Sequence, residues 1–545
     1  MAVFLTAREL WTAFSFIYIS SFVILVVGTV IVSLTPYVLS HFSGHNLLPI
    51  FIMVTRIVGG VLRLPLAKFI DRFGRVHGFL LAMSLMIIGL TIQAIAQNLF
   101  TTAVAQVVYG IGWNSIDYVL TVLLADMTSL KNRTLVYGIF VTPTIATSFA
   151  APNIAELLYV RMDWRWAFGA SALTLLVACL PLTFILSRAS QGAEVAGRAS
   201  RVIQNNVERH WPQNLRSFLV ELDIPGITLS TTGLCLVLLP FTLAPTAESG
   251  WKSAAIITML MFGFASIIGF IVWEKRFAAT NLMPWTLMRN RNILGGCLVG
   301  FASVGSVGIW EAYYGSYLQV VHDQSIKTAG YITNTYPLAF AISAPLFGIL
   351  VRVTGNYKYP ALLASPILEL FTGLLLVLHT PKSAHSLLFM CQAFIGISER
   401  ILTASSQMSA VSSIKHEDVA VAIGIWGAFL SIGVALGSGI SGAIWSNVFP
   451  GALEAALPQD SKHLAKDVFG SLDAQKQYPM GGSIRNAVIS AYWTAQQKLV
   501  ITGICVIPVA IAGVLAWKNV NVKKHDESEI VRTRGVVWCE MQWGT

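Results

Sequence analysis

Charge is what this chain lacks most. Its 545 residues hold 36 Lys and Arg and 26 Asp and Glu, so charged side chains make up 11%, where a soluble globular protein carries about 25%. With 55% of residues hydrophobic, a bilayer is the solvent that fits, and disorder, collagen and coiled coil are excluded. Cysteine is scarce too. Of the six, Cys179, Cys235, Cys297, Cys391 and Cys505 sit in apolar runs and Cys539 near the C-terminus, with no C-x-x-C pair; a disulfide scaffold is excluded and no redox or metal motif exists. No G-x-x-x-x-G-K-[ST] phosphate loop is present, so nothing supports an ATP-driven pump. The formal charge of +10 is scattered as single basic residues in short loops, which is a membrane-topology pattern and not a nucleic-acid footprint.

Apolar runs predict roughly fourteen crossings, near 12–37, 47–66, 77–97, 101–123, 134–157, 167–187, 224–244, 253–273, 292–317, 329–351, 359–380, 387–410, 420–447 and 497–517. These runs far exceed the ~10 residues of a barrel strand, and lipid-exposed backbone must satisfy its own hydrogen bonds. The expected fold is therefore an all-α polytopic membrane protein. The stretch after Arg8 and Glu9 stays apolar to about Leu39 without an A-x-A site, so it reads as the first membrane helix and not a cleaved signal. Lys68, Arg72, Arg75, Lys131, Arg133, Arg188, Arg352, Lys358 and Lys415 fall on one side, whereas loops 38–46 and 98–100 carry no Lys or Arg. The positive-inside rule makes that side, and both termini, cytosolic.

The expected organisation is an N-terminal six-helix bundle (1–187), a cytosolic linker (188–223), two additional helices (224–291), a C-terminal six-helix bundle (292–520) with a long outer loop at 448–496, and a cytosolic tail (521–545). A repeat supports the division. Ala67-Lys-Phe-Ile-Asp71-Arg72-Phe-Gly74-Arg75 after the second helix and Gly348-Ile-Leu-Val-Arg352-Val-Thr-Gly355-Asn356 after the tenth share one spacing, small-x-x-x-charged-x-x-Gly. Such internal symmetry is the logic of secondary transporters.

Ionisable groups inside the spans are the strongest chemical signal, since each costs ~2.5–3.5 kcal/mol at mid-membrane on insertion scales. They are Arg56 and Arg63 on helix two, Asp117 on four, Glu311 on nine, Glu369 on eleven, and Glu399 with Arg400 on twelve. Arg56 is expected to neutralise Asp117 across adjacent helices, and Glu399 and Arg400 to contact separate partners. Asp117, Glu311, Glu369 and Glu399 are the candidates for proton coupling. Asp71, at the end of helix two, can face the positive N-terminal end of helix thirteen near Val419 and latch one state shut. Gly433-x-x-x-Gly437 predicts close helix packing. Among the histidines only His41 and His45 have the i, i+4 spacing of a metal site, and they fall in a loop, so no metal is expected.

AKFIDRFGR resembles the loop motif G-x-x-x-D-R-x-G-R-[RK] of the major facilitator superfamily, with Ala67 for the leading Gly and Val76 for the last basic residue. QVVYGIGWNSIDYVLTVLLADMTSLKNRTL, DWRWAFGASAL, YGSYLQVVHDQSIKTAGYI and YPMGGSIRNAVISAYWTAQQKLVITGI look like fungal siderophore–iron transporters, a fourteen-helix branch. Drug/proton exchangers of the superfamily carry an Arg before G-x-G in the fourth helix, where this chain has Gln106. The resemblance implies a monomeric carrier in the plasma membrane or an endosomal or vesicular membrane, importing ferric siderophores with protons by rocking of two six-helix bundles, without a cofactor or nucleic-acid partner. Asp71, Arg72, Gly74, Arg75, Asp126 and Arg133 would then form the cytosolic gate. A chelated ferric ion brings its own ligands, so its carrier needs aromatics and hydrogen-bond donors; Tyr109, Trp113, Asn114, Trp310, Tyr313, Tyr314, Tyr317 and Tyr336 are candidates for the cavity, and Tyr478, Arg485 and Tyr492 for capture at the outer loop. Two alternatives stay open: an exporter or exchanger of toxins, drugs or glutathione on the same fold, and a non-transporting membrane sensor.

Overall fold

The computed structural model describes residues 7–523 except 43, 45–46, 129, 162, 202–221, 245–246, 248, 279–284, 378–384 and 415–417. Every regular element among the described residues is helical, as a backbone in hydrocarbon requires. In chain order these are α1 (Ala7–His41), α2 (Leu48–Phe73), α3 (Arg75–Ala94), α4 (Leu99–Asp126), α5 (Leu130–Val141), α6 (Pro143–Arg161), α7 (Trp164–Arg201), α8 (Ile224–Leu243), α9 (Ala254–Arg276) and α10 (Trp285–Met288). They are followed by α11 (Arg291–Glu311), α12 (Tyr314–Val321), α13 (Ile326–Thr333), α14 (Thr335–Thr354), α15 (Lys358–Leu374), α16 (His385–Val411), α17 (Val419–Ala456), α18 (Ala465–Gly470), α19 (Leu472–Lys476) and α20 (Ser483–Ala516). Among the described residues thirteen spans are long and apolar enough to cross a membrane, and α15, at 17 residues, brings the number to the expected fourteen.

Three crossings are broken. α5 and α6 are separated at Thr142, because Pro143 disfavours a helical residue before it; the Thr142 amide and hydroxyl both donate to the Ile139 carbonyl, at 3.1 and 2.7 Å. α11 and α12 part directly after Glu311, and α13 and α14 at Asn334. Two expected boundaries are corrected. α7 continues to Arg201, so the linker begins as helix, its Ala, Glu and Arg content favouring that; the rest of it, 202–221, and the tail from 524 lie outside the described residues. The outer loop at 448–496 is largely helix: α17 reaches Ala456 and α20 starts at Ser483, leaving only 457–482 with its short helices α18 and α19.

α3 lies on α4 and α7, and α1 on α6 and α7; in the second half α11 is the central helix, against α16, α17 and α20. The halves meet along two seams, α2 with α17 and α5 with α14. Both seams use glycine for close approach: a Cβ on Gly60 would lie 2.5 Å from that of Ser431, and one on Gly138 would lie 2.6 Å from the Ala344 carbonyl oxygen. The added pair, α8 and α9, packs against the α2–α17 seam through α8. The repeated loop has a common backbone cause. Gly74 (φ 93°) ends α2 and Gly355 (φ 72°) ends α14, both left-handed, a region that favours glycine.

Candidate functional site

Arg56, Tyr109, Glu311 and Tyr336 each lie about 12–15 Å along the helix axis from the far ends of their crossings, at 1.5 Å per residue, on α2, α4, α11 and α14. All four are partly exposed despite this depth, so they line the gap between the halves. Their charges act across it: Arg56 is within electrostatic reach of Tyr109, Asp117 and Glu311, Glu311 of Glu399, and Tyr336 of both glutamates. Glu399 is buried on α16. Its Oε1 accepts from Ser303 Oγ at 3.1 Å and Thr403 Oγ1 at 2.9 Å, while Oε2 has no partner. The neighbouring Arg400 points elsewhere, its guanidinium carbon 5.2 Å from the Phe340 ring centroid, a cation–π contact.

The expected Arg56–Asp117 pair is corrected. Arg63 takes Asp117, Nη2 to Oδ2 at 2.9 Å, and donates to Asn114 Oδ1 at 3.2 Å. Depth explains the exchange of partners: α2 and α4 descend in the same direction, which sets Arg63, two turns below Arg56, nearer the level of Asp117. Asn114 is buried, accepts also from Ser431 Oγ of the other half at 3.4 Å and donates to the Gly110 carbonyl. It therefore ties the seam and does not line the gap. Trp113 packs over Gly28 of α1.

Four other aromatic candidates are packed inside the second half. Trp310, Tyr313, Tyr314 and Tyr317 are fully buried. Tyr313 stacks on Trp445 of α17 at 3.9 Å, Tyr314 meets Trp310 edge-on at 5.5 Å, and Trp445 continues the column to Phe449 and Tyr492. The run W-E-A-Y-Y-G-S-Y turns its aromatic faces inward because α11 is the central helix of its bundle, with neighbours on several sides. Glu369 is also set apart. It is partly exposed on α15, which packs against α16 and α20, beside the exposed Pro366, Ile367 and Leu370.

At the far end, Arg485 and Tyr492 are fully buried, not presented to solvent. Arg485 donates to the Gln475 carbonyl at 2.7 Å and pairs with Asp323 at 3.3 Å; Tyr492 donates to Gln475 Oε1 at 2.7 Å. They fasten the 457–482 segment onto its bundle, and Tyr478 packs partly buried against the same core. No sequence pattern marks Gln319, which also belongs to this end. Its Oε1 accepts from Tyr37 Oη of α1 at 2.9 Å and from Lys476 Nζ at 3.3 Å, joining both halves and the loop at one oxygen. Burial lowers the Lys476 pKa, with Arg485 adding to that and Asp473 and Asp323 opposing it.

At the basic end, Arg75 Nε pairs with Asp126 Oδ2 at 3.1 Å and its Nη1 reaches the Ile70 carbonyl at 3.3 Å. Arg133, buried, donates to the Ala125 carbonyl at 3.3 Å, and Tyr118 Oη donates to the Ala420 carbonyl at 3.0 Å across the halves. Gly74, Arg75, Asp126 and Arg133 thus converge, Arg72 is exposed beside them, and the Asp71 side chain lies outside the described ones. Among the described residues no group of three or more His, Cys, Asp or Glu could hold a metal ion.

Comparison with known proteins gives this geometry its setting. The sequence pattern described as Major Facilitator Superfamily matches residues 16–321 and 293–452. "MFS siderochrome iron transporter 1" of Ajellomyces capsulatus is 34% identical over 531 residues, covering 97% of this chain and 91% of the relative. The chain belongs to the Major Facilitator Superfamily, within the fungal siderophore iron transporter family. "Siderophore iron transporter mirB" of Emericella nidulans is 32% identical, covering 94% of this chain and 83% of the relative. A solved structure of a bacterial homolog to the human lysosomal transporter Spinster, inward-facing and unoccupied, has a TM-score of 0.54 at 12% identity, covering 94% of this chain and 98% of that one, and so shares the fold. This superfamily member is a multi-pass integral membrane transporter and not an enzyme.

Proposed function

We propose that this transporter imports ferric siderophores together with protons, opening the central gap alternately to the two sides of the membrane, with the basic end in the cytosol. Two carboxylates carry this reading: Glu399, buried with one oxygen unpartnered, and Glu311, partly exposed at membrane depth. Two nearby carboxylates in a low-dielectric site resist ionising together, so one of them can take up and release a proton as its surroundings change. The gap is shared by both halves, and the seams α2–α17 and α5–α14 are the surfaces on which those halves can rock. Arg75 with Asp126 at one end, and Tyr37, Lys476 and Gln319 at the other, are the contacts that would open in turn. The names of the relatives support the cargo.

The test is uptake of radiolabelled ferric trihydroxamates by a host lacking its own carriers, with and without a proton gradient. Accumulation against the iron gradient that collapses with a protonophore is the expected result. Cargo moving outward, or accumulation indifferent to the protonophore, would refute import or coupling respectively.

A further inference from the structure

Arg56 is the charge in the gap that the fold leaves unexplained. Arg63 holds Asp117 and Asn114, and Arg400 lies over Phe340. Arg56 makes no ion pair and no side-chain hydrogen bond among the described residues, while standing partly exposed in the gap. A guanidinium at membrane depth is costly unless it is paired or faces a pathway. Glu311, on the opposite wall, has no hydrogen-bond or ion-pair partner of its own and is within electrostatic reach of Arg56. The Tyr109 hydroxyl, beside Arg56, is buried without a partner.

Building on the function proposed above, we infer that Arg56 is the substrate-contacting cation of this transporter, and that it passes between Glu311 in the empty carrier and the oxygen-rich face of a ferric chelate in the loaded one. Iron(III) is a hard cation held by oxygen ligands, so such a chelate presents a cluster of oxygen lone pairs, which a planar guanidinium can engage with two donors at once. When chelate oxygens take those donors, Glu311 loses the influence of its cation and is left facing Glu399. It then takes one proton from the side to which the gap is open. When the chelate departs, Arg56 returns to Glu311 and the proton leaves to the solvent on that side. One proton accompanies one chelate; no bond in the chelate breaks and the iron keeps its oxidation state.

The groups that act on Glu311 are Arg56 of α2, Glu399 of α16 and the Tyr336 hydroxyl of α14. α17 brings no ionisable side chain within the membrane, and on α20 Arg485 is tied to Asp323, Tyr492 to Gln475, and Lys498 is exposed. The coupling is reciprocal: chelate binding favours protonation of Glu311, and a proton on Glu311 favours chelate binding.

The experiment measures chelate affinity and proton uptake together. Purified protein in weakly buffered detergent with a pH indicator is titrated with iron(III)–desferrioxamine B and with ferrichrome, a linear and a cyclic trihydroxamate. The parent should take up about one proton per chelate bound. Glu311→Gln should bind and take up none. Arg56→Gln should bind about 10–100-fold more weakly, the loss expected for a charge-assisted contact, and take up no proton, because the chelate then draws no cation away from Glu311. Arg56→Lys keeps the charge and loses the fork, so it should bind weakly yet retain proton uptake, which separates exchange from misfolding. Parental affinity or parental proton uptake in Arg56→Gln overturns the inference and leaves the proposed function standing. A parent that binds neither chelate removes both.

Discussion

Gly437→Ala offers a direct measure of how tightly the second half is assembled. A Cβ on Gly437 of α17 would lie 2.4 Å from the Gly305 carbonyl oxygen of α11, and Gly433, one turn away, faces the Phe301 carbonyl oxygen at the same distance. Ordinary contact begins at 3.4 Å, so the helices would have to separate locally by about 1 Å. A backbone oxygen cannot rotate away. The upper end of the usual overpacking cost, about 3 kcal/mol, therefore applies, and the better helix propensity of alanine returns about 1 kcal/mol, leaving a net loss of about 2 kcal/mol. Gly451 on the same α17 supplies the opposite sign. No atom lies within 4 Å of its Cβ position, so Gly451→Ala should gain up to about 1 kcal/mol from propensity alone. Apparent melting temperatures of the two solubilised variants, taken at one scan rate because such unfolding is kinetic, should fall well apart with Gly437→Ala the lower. If Gly437→Ala melts with the parent or above Gly451→Ala, the α11–α17 contact is not the close backbone approach described.

Three other outcomes are expected. Tyr37→Phe removes one hydrogen bond from Gln319 and, at about 0.5–1.5 kcal/mol, should raise labelling of a cysteine at Ala312 by about 2–10-fold on a cysteine-free background; unchanged labelling would show that this oxygen does not hold the far end closed. Arg75→Asp and Asp126→Arg should each slow turnover with chelate affinity little changed, since only the state with the pair formed loses an interaction, and the double exchange should recover much of the rate; no recovery would count against a gating pair. Single cysteines at Asn356 and Gln477 should react oppositely with an impermeant thiol reagent in sealed cells, only Gln477 being labelled, and labelling of Asn356 from outside would invert the topology.

Element existence was legible in the sequence because the bilayer writes it there directly: crossing length and the placement of Lys and Arg are one-dimensional constraints. The glycine spacing at Gly433 and Gly437 likewise announced close packing, and the repeated loop motif marked two left-handed glycines at matching helix ends. Side-chain partners were less legible. Arg56 and Arg63 stand two turns apart on one helix, and only the relative depth of α4 gives Asp117 to Arg63. Residues 448–496 read as a loop because polar residues thin out the apolar pattern, yet helices that extend beyond the membrane carry such residues, and α17 and α20 do.

The sequence alone therefore determined the solvent, the all-helical class, the approximate crossings and the family, each being a sum over many residues along the chain. Tertiary structure decided what each polar residue does. It buried Tyr313, Tyr314, Tyr317, Arg485 and Tyr492 within one half, left Glu369 on an outer helix, and set Arg56 and Glu311 facing one gap from opposite halves. The physical reason is that helix period and hydropathy constrain a residue's neighbours along its own helix, whereas a charge or an aromatic ring is assigned its partner by the depth and rotation of another helix, which no local pattern records.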